Sequence, residues 1–440
     1  MKDWFLWLYP GLKVKRYAFL MVLGLFALAL SFYLAAGPYW IHLSALWAKG
    51  HLRWPLALAL ALLGALLTLY GGRQLVRSIL RGILPGMENH LGERVWARRY
   101  LSRGPRAVAL GGGTGLSTLL RGLKHYTHNL TAIVSVTDDG GSSGRLRQEM
   151  GIQPPGDVRN VLVALAASDS EVMGKVLQHR FQKGELAGHS LGNLFLGALV
   201  EITGSLEEAI RVSSQILAVD GTVLPSSRVD VVLVAEFPDG QEVRGEVAIV
   251  KAVREKGPFR RLFLDPPQAR PPEAALQALE EADVIILGPG SLFTSVVPHL
   301  LLPEVREAIR RSKALKVYVL NIMTQPGETD GMTAKDHVVA LERYLGEGVL
   351  DVILGASGPF DPSLLKVYEA DGSRPVVWDL PERWGKARCL QAPLVENRQW
   401  IRHHPEKLAR KIMEVLLEEG LREKGRWVER LILSERLSRR

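Results

Sequence analysis

The chain has 440 residues, with 55 Lys and Arg against 46 Asp and Glu for a net charge of +9, and 47% of its residues are apolar. That length exceeds one compact core and predicts two or more structural parts. The single cysteine, Cys389, excludes an internal disulfide, and no Cys or His cluster has zinc spacing.

The charge is unevenly spread. Residues 1–106 hold fourteen Lys and Arg against Asp3, Glu88 and Glu93, a net of +11, which leaves −2 for residues 107–440. The basic excess therefore belongs to the N-terminal part, where arginines beside a bilayer meet anionic headgroups. No compact basic face with interleaved aromatics follows, which argues against a nucleic-acid partner.

In chain order, residues 17–36 and 54–72 are uncharged stretches of 20 and 19 residues. Each is long enough to cross a hydrocarbon layer of about 30 Å at about 1.5 Å per residue, so residues 1–72 are predicted to form a membrane hairpin. A secretory signal is the rival reading of the first stretch, because Ala35, Ala36 and Gly37 resemble a cleavage site. The apolar run is too long for it, and a second span follows at once. Lys2, Lys13, Lys15 and Arg16 precede the first span, only Lys49 and Arg53 lie between the two, and Arg73, Arg77 and Arg81 follow the second. This bias places both termini in the cytoplasm and a short turn outside.

Residues 73–105 read as a basic linker, with Leu75, Ile79 and Ile83 at helical spacing before Pro85 and Gly86. It lies on the membrane surface or in solvent. From residue 106 to 412, strand and helix patterns alternate, which predicts an α/β, Rossmann-like, doubly wound and mostly parallel sheet. Residues 229–250 interrupt it with two strand-like runs around Asp239-Gly240, an expected antiparallel hairpin insertion. Residues 413–440 read as a helical tail.

Five loops of small residues each follow a β-branched run: residues 111–115, 137–144, 288–291, 321–331 and 355–358. In an open parallel sheet such loops share one edge, where ligands bind, so they predict a nucleotide or phosphorylated ligand. Gly111, Gly112, Gly113, Thr114 and Gly115 lead into a helix expected near Leu116, with backbone N–H groups free for a phosphate. This is neither a P-loop nor a complete dinucleotide fingerprint, since Leu116 stands where a glycine would be needed. An NAD-dependent oxidoreductase is thereby disfavoured.

Asp138 and Asp139 sit where a nucleotide-binding sheet puts an acid on a ribose hydroxyl, or where a pair of carboxylates holds Mg²⁺. A solvated Asp-Gly turn is the plain alternative. Gly141 and Ser142 are placed to wrap an anion, with Arg145 and Arg147 nearby. Asp157 is read as a helix cap, Arg159 or Asn160 as facing the site, and His189 as an acid, a base or a structural histidine.

These loops lie in the words VALGGGTGLSTLLRGLK, TDDGGSSGRLR, PPGDVRNVLVALA, GHSLGNLFLGAL, ADVIILGPGSLFTSVVPHLL and NIMTQPGETDGMTAKDHV. In them the chain resembles the YvcK family, also called gluconeogenesis factor or GlmR, and more distantly the CofD phospholactate transferases. The first resemblance implies a UDP-sugar-binding regulator, with UDP-N-acetylglucosamine as ligand. Its role would be to direct carbon into cell-envelope precursors under gluconeogenic growth, through a protein partner in amino-sugar or envelope-precursor synthesis, with effects on cell shape. The second implies a nucleotide-dependent transferase with Mg²⁺ on Asp138, Asp139 and Asp157. A homo-oligomer stays open.

By the same matching, Gly112, Gly113, Thr114, Asp138, Asp139, Asn160, Asn193, Gly290 and Ser291 are expected to line the nucleotide pocket. Gly288, Asn321 and Thr324 come with their loops, while Tyr368 and Arg402 are expected to close on the ligand. The chain departs from the family pattern at Phe293 and His299, where Tyr and Asn are common.

Overall fold

The computed structural model describes residues 14–36, 53–83, 101–166, 171–420, 433–434 and 436–438. The expected external turn at residues 37–52, the linker from 84 to 100 and the tail at 421–432 lie outside the described residues. The chain divides into two compact units, Met1–Ala97 and Arg98–Arg440.

The first unit pairs α1 (Val14–Ala36) with α2 (Arg53–Ile83). The second helix continues past the span end expected at residue 72, because nothing breaks the helical pattern before Pro85. The two helices meet through small residues, Gly24 against Gly64 and Thr68, and Gly71 against Met21. Ser31 Oγ donates to the Ala57 carbonyl at 2.6 Å. Phe19, Phe32, Leu62 and Leu69 remain exposed on the outer faces. Both helices are long and apolar enough to cross a membrane.

The second unit is built on an eight-stranded sheet. Its strands in chain order are β1 (Ala107–Gly111), β2 (Leu130–Val134), β3 (Thr222–Pro225), β7 (Val284–Leu287), β8 (Leu315–Val319), β9 (Val352–Ala356), β10 (Arg383–Trp384) and β11 (Ala387–Ala392). They lie in the order β10-β11-β9-β8-β7-β1-β2-β3, all parallel except the edge pair β10–β11. Ala109 at the centre registers with Ala132 on one side and Ile286 on the other. β1 and β7 are buried along their whole length, as expected for strands covered on both faces. After β1 the chain first builds outward through β2 and β3, and the later strands then build the other way from β7. The switch point therefore lies between β1 and β7.

The insertion differs from the expected hairpin. β4 (Val232–Glu236) pairs with β5 (Glu242–Arg244) on one edge and with β6 (Arg261–Asp265) on the other, which makes a three-stranded antiparallel sheet. The second strand-like run stops at Arg244, and Glu246–Lys256 is helical. Gly245, at φ +93°, turns the chain, and the Asp139 carboxylate accepts the Val247 N–H at 3.0 Å in the first turn of that helix.

Four more helices shape the site: α3 (Gly113–Leu123), α4 (Gly141–Met150), α5 (Gly156–Leu165) and α6 (Leu191–Thr203). The helix at Glu246–Lys256 is α7, and α8 is Pro405–Val415, which follows the small ribbon of β12 (Val395–Asn397) and β13 (Ile401–His403). α8 packs on α3 at Gly122, where a Cβ would stand 2.1 Å from the Pro405 carbonyl oxygen. Gly-to-Ala changes in open helices stabilise by about 1 kcal/mol. Gly122→Ala is instead expected to destabilise by about 1–3 kcal/mol through overpacking, measured by urea unfolding. A gain in stability would contradict this seating of α8.

Candidate functional site

At the switch point, three strand-end loops enclose an open cleft of about 270 Å³. It is lined by Gly112, Gly113, Thr114, Gly115 and Thr118 after β1, by Pro289, Gly290, Ser291 and Ser295 after β7, and by Asn321, Ile322, Met323 and Gln325 after β8. Tyr368 and the β13 residues Ile401, Arg402 and His403 form the remaining wall. α3 begins at Gly113, three residues before the expected start, and its N-cap residue, Gly112, has no side chain to cap it. The Gly113 N–H goes to the Asp157 carboxyl, and the N–H groups of residues 114 and 115 are left to open on the cleft with the positive end of the helix dipole. The loops after β1 and β7 touch backbone to backbone, since a Cβ on Gly115 would meet the Pro289 carbonyl oxygen at 2.3 Å.

A polar chain runs along the far rim. The Gly290 N–H donates to Asn321 Oδ1 at 3.2 Å, Asn321 Nδ2 to Gln325 Oε1 at 3.2 Å, and Gln325 Nε2 to Ser291 Oγ at 2.8 Å. The Tyr368 hydroxyl donates to the Ile401 carbonyl at 3.4 Å, and its ring meets Trp400 edge-on at 6.1 Å. Fixed donors, an aromatic ring and a guanidinium on one rim suit a phosphorylated, ring-bearing ligand.

Carboxylates stand behind the glycine loop. Asp157 accepts a backbone hydrogen bond from Gly113, and burial together with the Asp138 charge pushes its pKa up to about 7. Burial likewise raises Glu328 to about 7, although its Oε1 accepts the Phe293 and Thr294 N–H groups at 2.8 and 3.0 Å. Glu246, raised by burial and then by Asp138, Glu328 and Asp157, completes the set. Each keeps some accessible surface, so water screens part of this repulsion.

The other expected site residues occupy a second cluster or the framework. Arg159 donates to Asn193 Oδ1 at 2.9 Å and to Asn160 Oδ1 at 2.8 Å, and Asn193 Nδ2 donates to Ser142 Oγ at 3.1 Å. Ser142 Oγ lies 3.1 Å from His189 Nδ1, and burial followed by the Arg145 charge lowers that imidazole's pKa. Ser142, Asn160 and Asn193 thus belong to a partly buried network around Arg159, outside the cleft lining. Gly141 is the first residue of α4.

Asp157 lies in the first turn of α5, not at its N-cap, which is Pro155. Asp138 accepts the Gly140 N–H at 2.9 Å, whereas Asp139 is committed to α7. Gly111 ends β1 and Gly288 directly follows β7, and neither lines the cleft. The Thr324 hydroxyl turns away to accept the Arg374 N–H at 2.9 Å. The fifth loop contributes no lining residue, and Gly355 packs on Trp378. His299 Nε2 lies 3.2 Å from the Gly111 carbonyl, with burial pushing its pKa down to about 4, and Phe293 packs edge-on against Phe259.

The pattern of the 2-phospho-L-lactate transferase CofD family matches residues 107–395. A Nostoc protein described as a gluconeogenesis factor is 42% identical over 441 residues, covering 94% of this chain and 93% of its own. The gluconeogenesis factor of Bacillus subtilis is 46% identical, over 71% of this chain and 99% of its own. The chain belongs to the gluconeogenesis factor family, with a CofD-type domain. A crystal structure of a UPF0052 family protein from Bacillus halodurans has the same fold, with a TM-score of 0.66 at 44% identity, covering 70% of this chain and 99% of that one. The CofD match ends before β13, so the wall carrying Arg402 lies beyond it.

For a carboxyl group with a raised folded-state pKa, the folded protein keeps a proton that the unfolded chain has already lost, so stability falls as pH rises between the two values. For Asp157 that window runs from 3.8 to about 7. Urea unfolding at pH 5 and pH 8 is expected to show the wild type less stable at pH 8 and Asp157→Asn with a flatter profile. An unchanged slope in Asp157→Asn would place the proton elsewhere.

Proposed function

We propose that this chain is a membrane-anchored, cytoplasmic sensor of a UDP-sugar, with UDP-N-acetylglucosamine as ligand. Its output would be control of carbon flow into envelope precursors through a protein partner in amino-sugar synthesis, in keeping with growth on gluconeogenic substrates and with cell shape. The observation that carries the reading is the cleft at the switch point, where the α3 N-terminus faces Asn321, Tyr368 and Arg402. A diphosphate suits the helix end, and the polar rim suits the sugar or the base. Family membership supports the gluconeogenic setting.

The membrane anchor is supported by the two apolar helices and by the distribution of Lys and Arg around them. The Clostridium acetobutylicum relative aligns over 98% of this chain, so the hairpin region is included in that likeness. The full chain is expected in the membrane fraction of cells and residues 98–440 alone in the soluble fraction. A soluble full chain would contradict the anchor.

A second reading, a Mg²⁺-dependent transferase of the CofD type, is favoured by the acids behind the glycine loop. A three-aspartate metal site does not fit, because Asp139 is turned to α7; among the described residues no group of three or more His, Cys, Asp or Glu is arranged to hold a metal. Asp138 and Asp157 remain as a pair that would hold Mg²⁺ together with waters and ligand phosphates. The ion would offset their mutual repulsion and neutralise phosphate charge. The buried Ser142–His189 pair is absent from the cleft lining, which favours binding over acyl or phosphoryl chemistry at that serine.

Isothermal titration with UDP-N-acetylglucosamine, GDP and NAD separates the readings. Saturable heat is expected for the UDP-sugar alone. Heat with GDP only would move the assignment to the transferase, and heat with NAD only would restore a dinucleotide site.

A further inference from the structure

One positive side chain beside the cleft has no role in the site as described so far. Thr114, Thr118 and Arg121 follow one another at spacings of four and three, so they share one face of α3. The first two line the cleft. Arg121 Nη2 donates to Thr118 Oγ1 at 3.0 Å, which folds the guanidinium back toward the helix N-terminus. Thr118 stands roughly 7.5 Å along the axis from Gly113, at about 1.5 Å per residue. Two linked phosphates held in succession fit along that stretch.

The opposite wall brings a second guanidinium. Gly122 seats Pro405 and Ala409 directly against α3, and the chain entering α8 is β13. Arg402 thereby lines the cleft, on a strand that packs against α3. The two charges repel: burial and then Arg402 lower the Arg121 pKa, and Glu396 offsets this only in part. Glu396 is itself paired with Arg398 at 2.8 Å. Among the described residues neither Arg121 nor Arg402 has an ion-pair partner. Two guanidiniums that Glu396 compensates only in part, at the edge of a concave site, are the arrangement that an anion with several oxygens relieves, through forked hydrogen bonds.

We propose that Arg121 and Arg402 form a two-guanidinium clamp for the distal phosphate of a diphosphate-bearing ligand, whose proximal phosphate lies on the N–H groups at the start of α3. The clamp deepens the nucleotide-sugar reading and rests on it for the identity of the ligand, but not for the diphosphate. It makes Arg121 a binding residue that distinguishes diphosphates from monophosphates.

The test is calorimetric titration of the full chain in detergent with inorganic pyrophosphate, UMP and UDP-N-acetylglucosamine, comparing wild type with Arg121→Gln, Arg121→Lys and Arg402→Gln. Losing one charge-assisted fork is expected to weaken pyrophosphate and the UDP-sugar by about tenfold or more. UMP affinity should change by no more than about twofold in Arg121→Gln, and Arg121→Lys should recover part of the loss, because it keeps the charge without the fork. Thermal unfolding of each variant should match wild type, which separates lost binding from lost folding. Wild-type affinity for pyrophosphate and the UDP-sugar in Arg121→Gln overturns the clamp and leaves the nucleotide-sugar reading standing. Arg121-dependent pyrophosphate binding without any UDP-sugar binding upholds the clamp and overturns that reading. Binding of neither by wild type overturns both.

Discussion

The fold turns on the place where β1 and β7 lie side by side while the chain builds outward from them in opposite directions. Parallel strands need long crossovers, and crossovers leaving to opposite sides open a crevice that neither fills. Here the crevice is kept narrow by direct backbone contact between Gly115 and Pro289. A side chain at that glycine would push the two loops apart, and the α3 N-terminus would no longer face Gly290 and Asn321. The small residues of the loops are thus a packing requirement as well as an opening for a ligand.

Around this crevice the protein sets opposite charges at different depths. The α3 N-terminus, Arg121 and Arg402 supply positive potential at the cleft, whereas Asp138, Asp157, Glu246 and Glu328 lie together behind the loops. Glu328 fixes the turn at Leu292–Val296 through two N–H bonds, and Asp157 fixes the start of α3 through Gly113. Burial raises both Asp157 and Glu328 to about 7, and the Asp138 charge adds to it at Asp157. The loops that meet a ligand are therefore anchored by groups whose protonation depends on one another.

Much of this was readable in the sequence because the signal was local. A glycine loop directly after a buried strand can be placed on the sheet edge without coordinates, and the parallel sheet follows from the alternation of strand and helix patterns. What was not readable depended on distant partners. The run Glu246–Val250 has strand-like residues, but Gly245 and the Asp139 carboxylate, more than a hundred positions away, start a helix there. Thr324 looked like its neighbours Asn321 and Gln325 until its hydroxyl proved to be bonded to the Arg374 N–H. Thr118 and Gln325 could have been found, the first from its helical spacing to Thr114 and the second from its place in the loop after β8. His403 and Ile401 could not, because only the seating of α8 on Gly122 brings β13 to the cleft.

The central claim is geometric: the ligand's phosphates rest at the start of α3, in the crevice between β1 and β7. A crystal structure of residues 98–440 with bound UDP-N-acetylglucosamine tests it most directly. The account predicts phosphate oxygens within hydrogen-bond distance of the backbone N–H groups of residues 114 and 115, with the sugar or the base against Tyr368 and Asn321. Phosphates held instead in the Ser142–Asn193 network, or outside the crevice altogether, would contradict it.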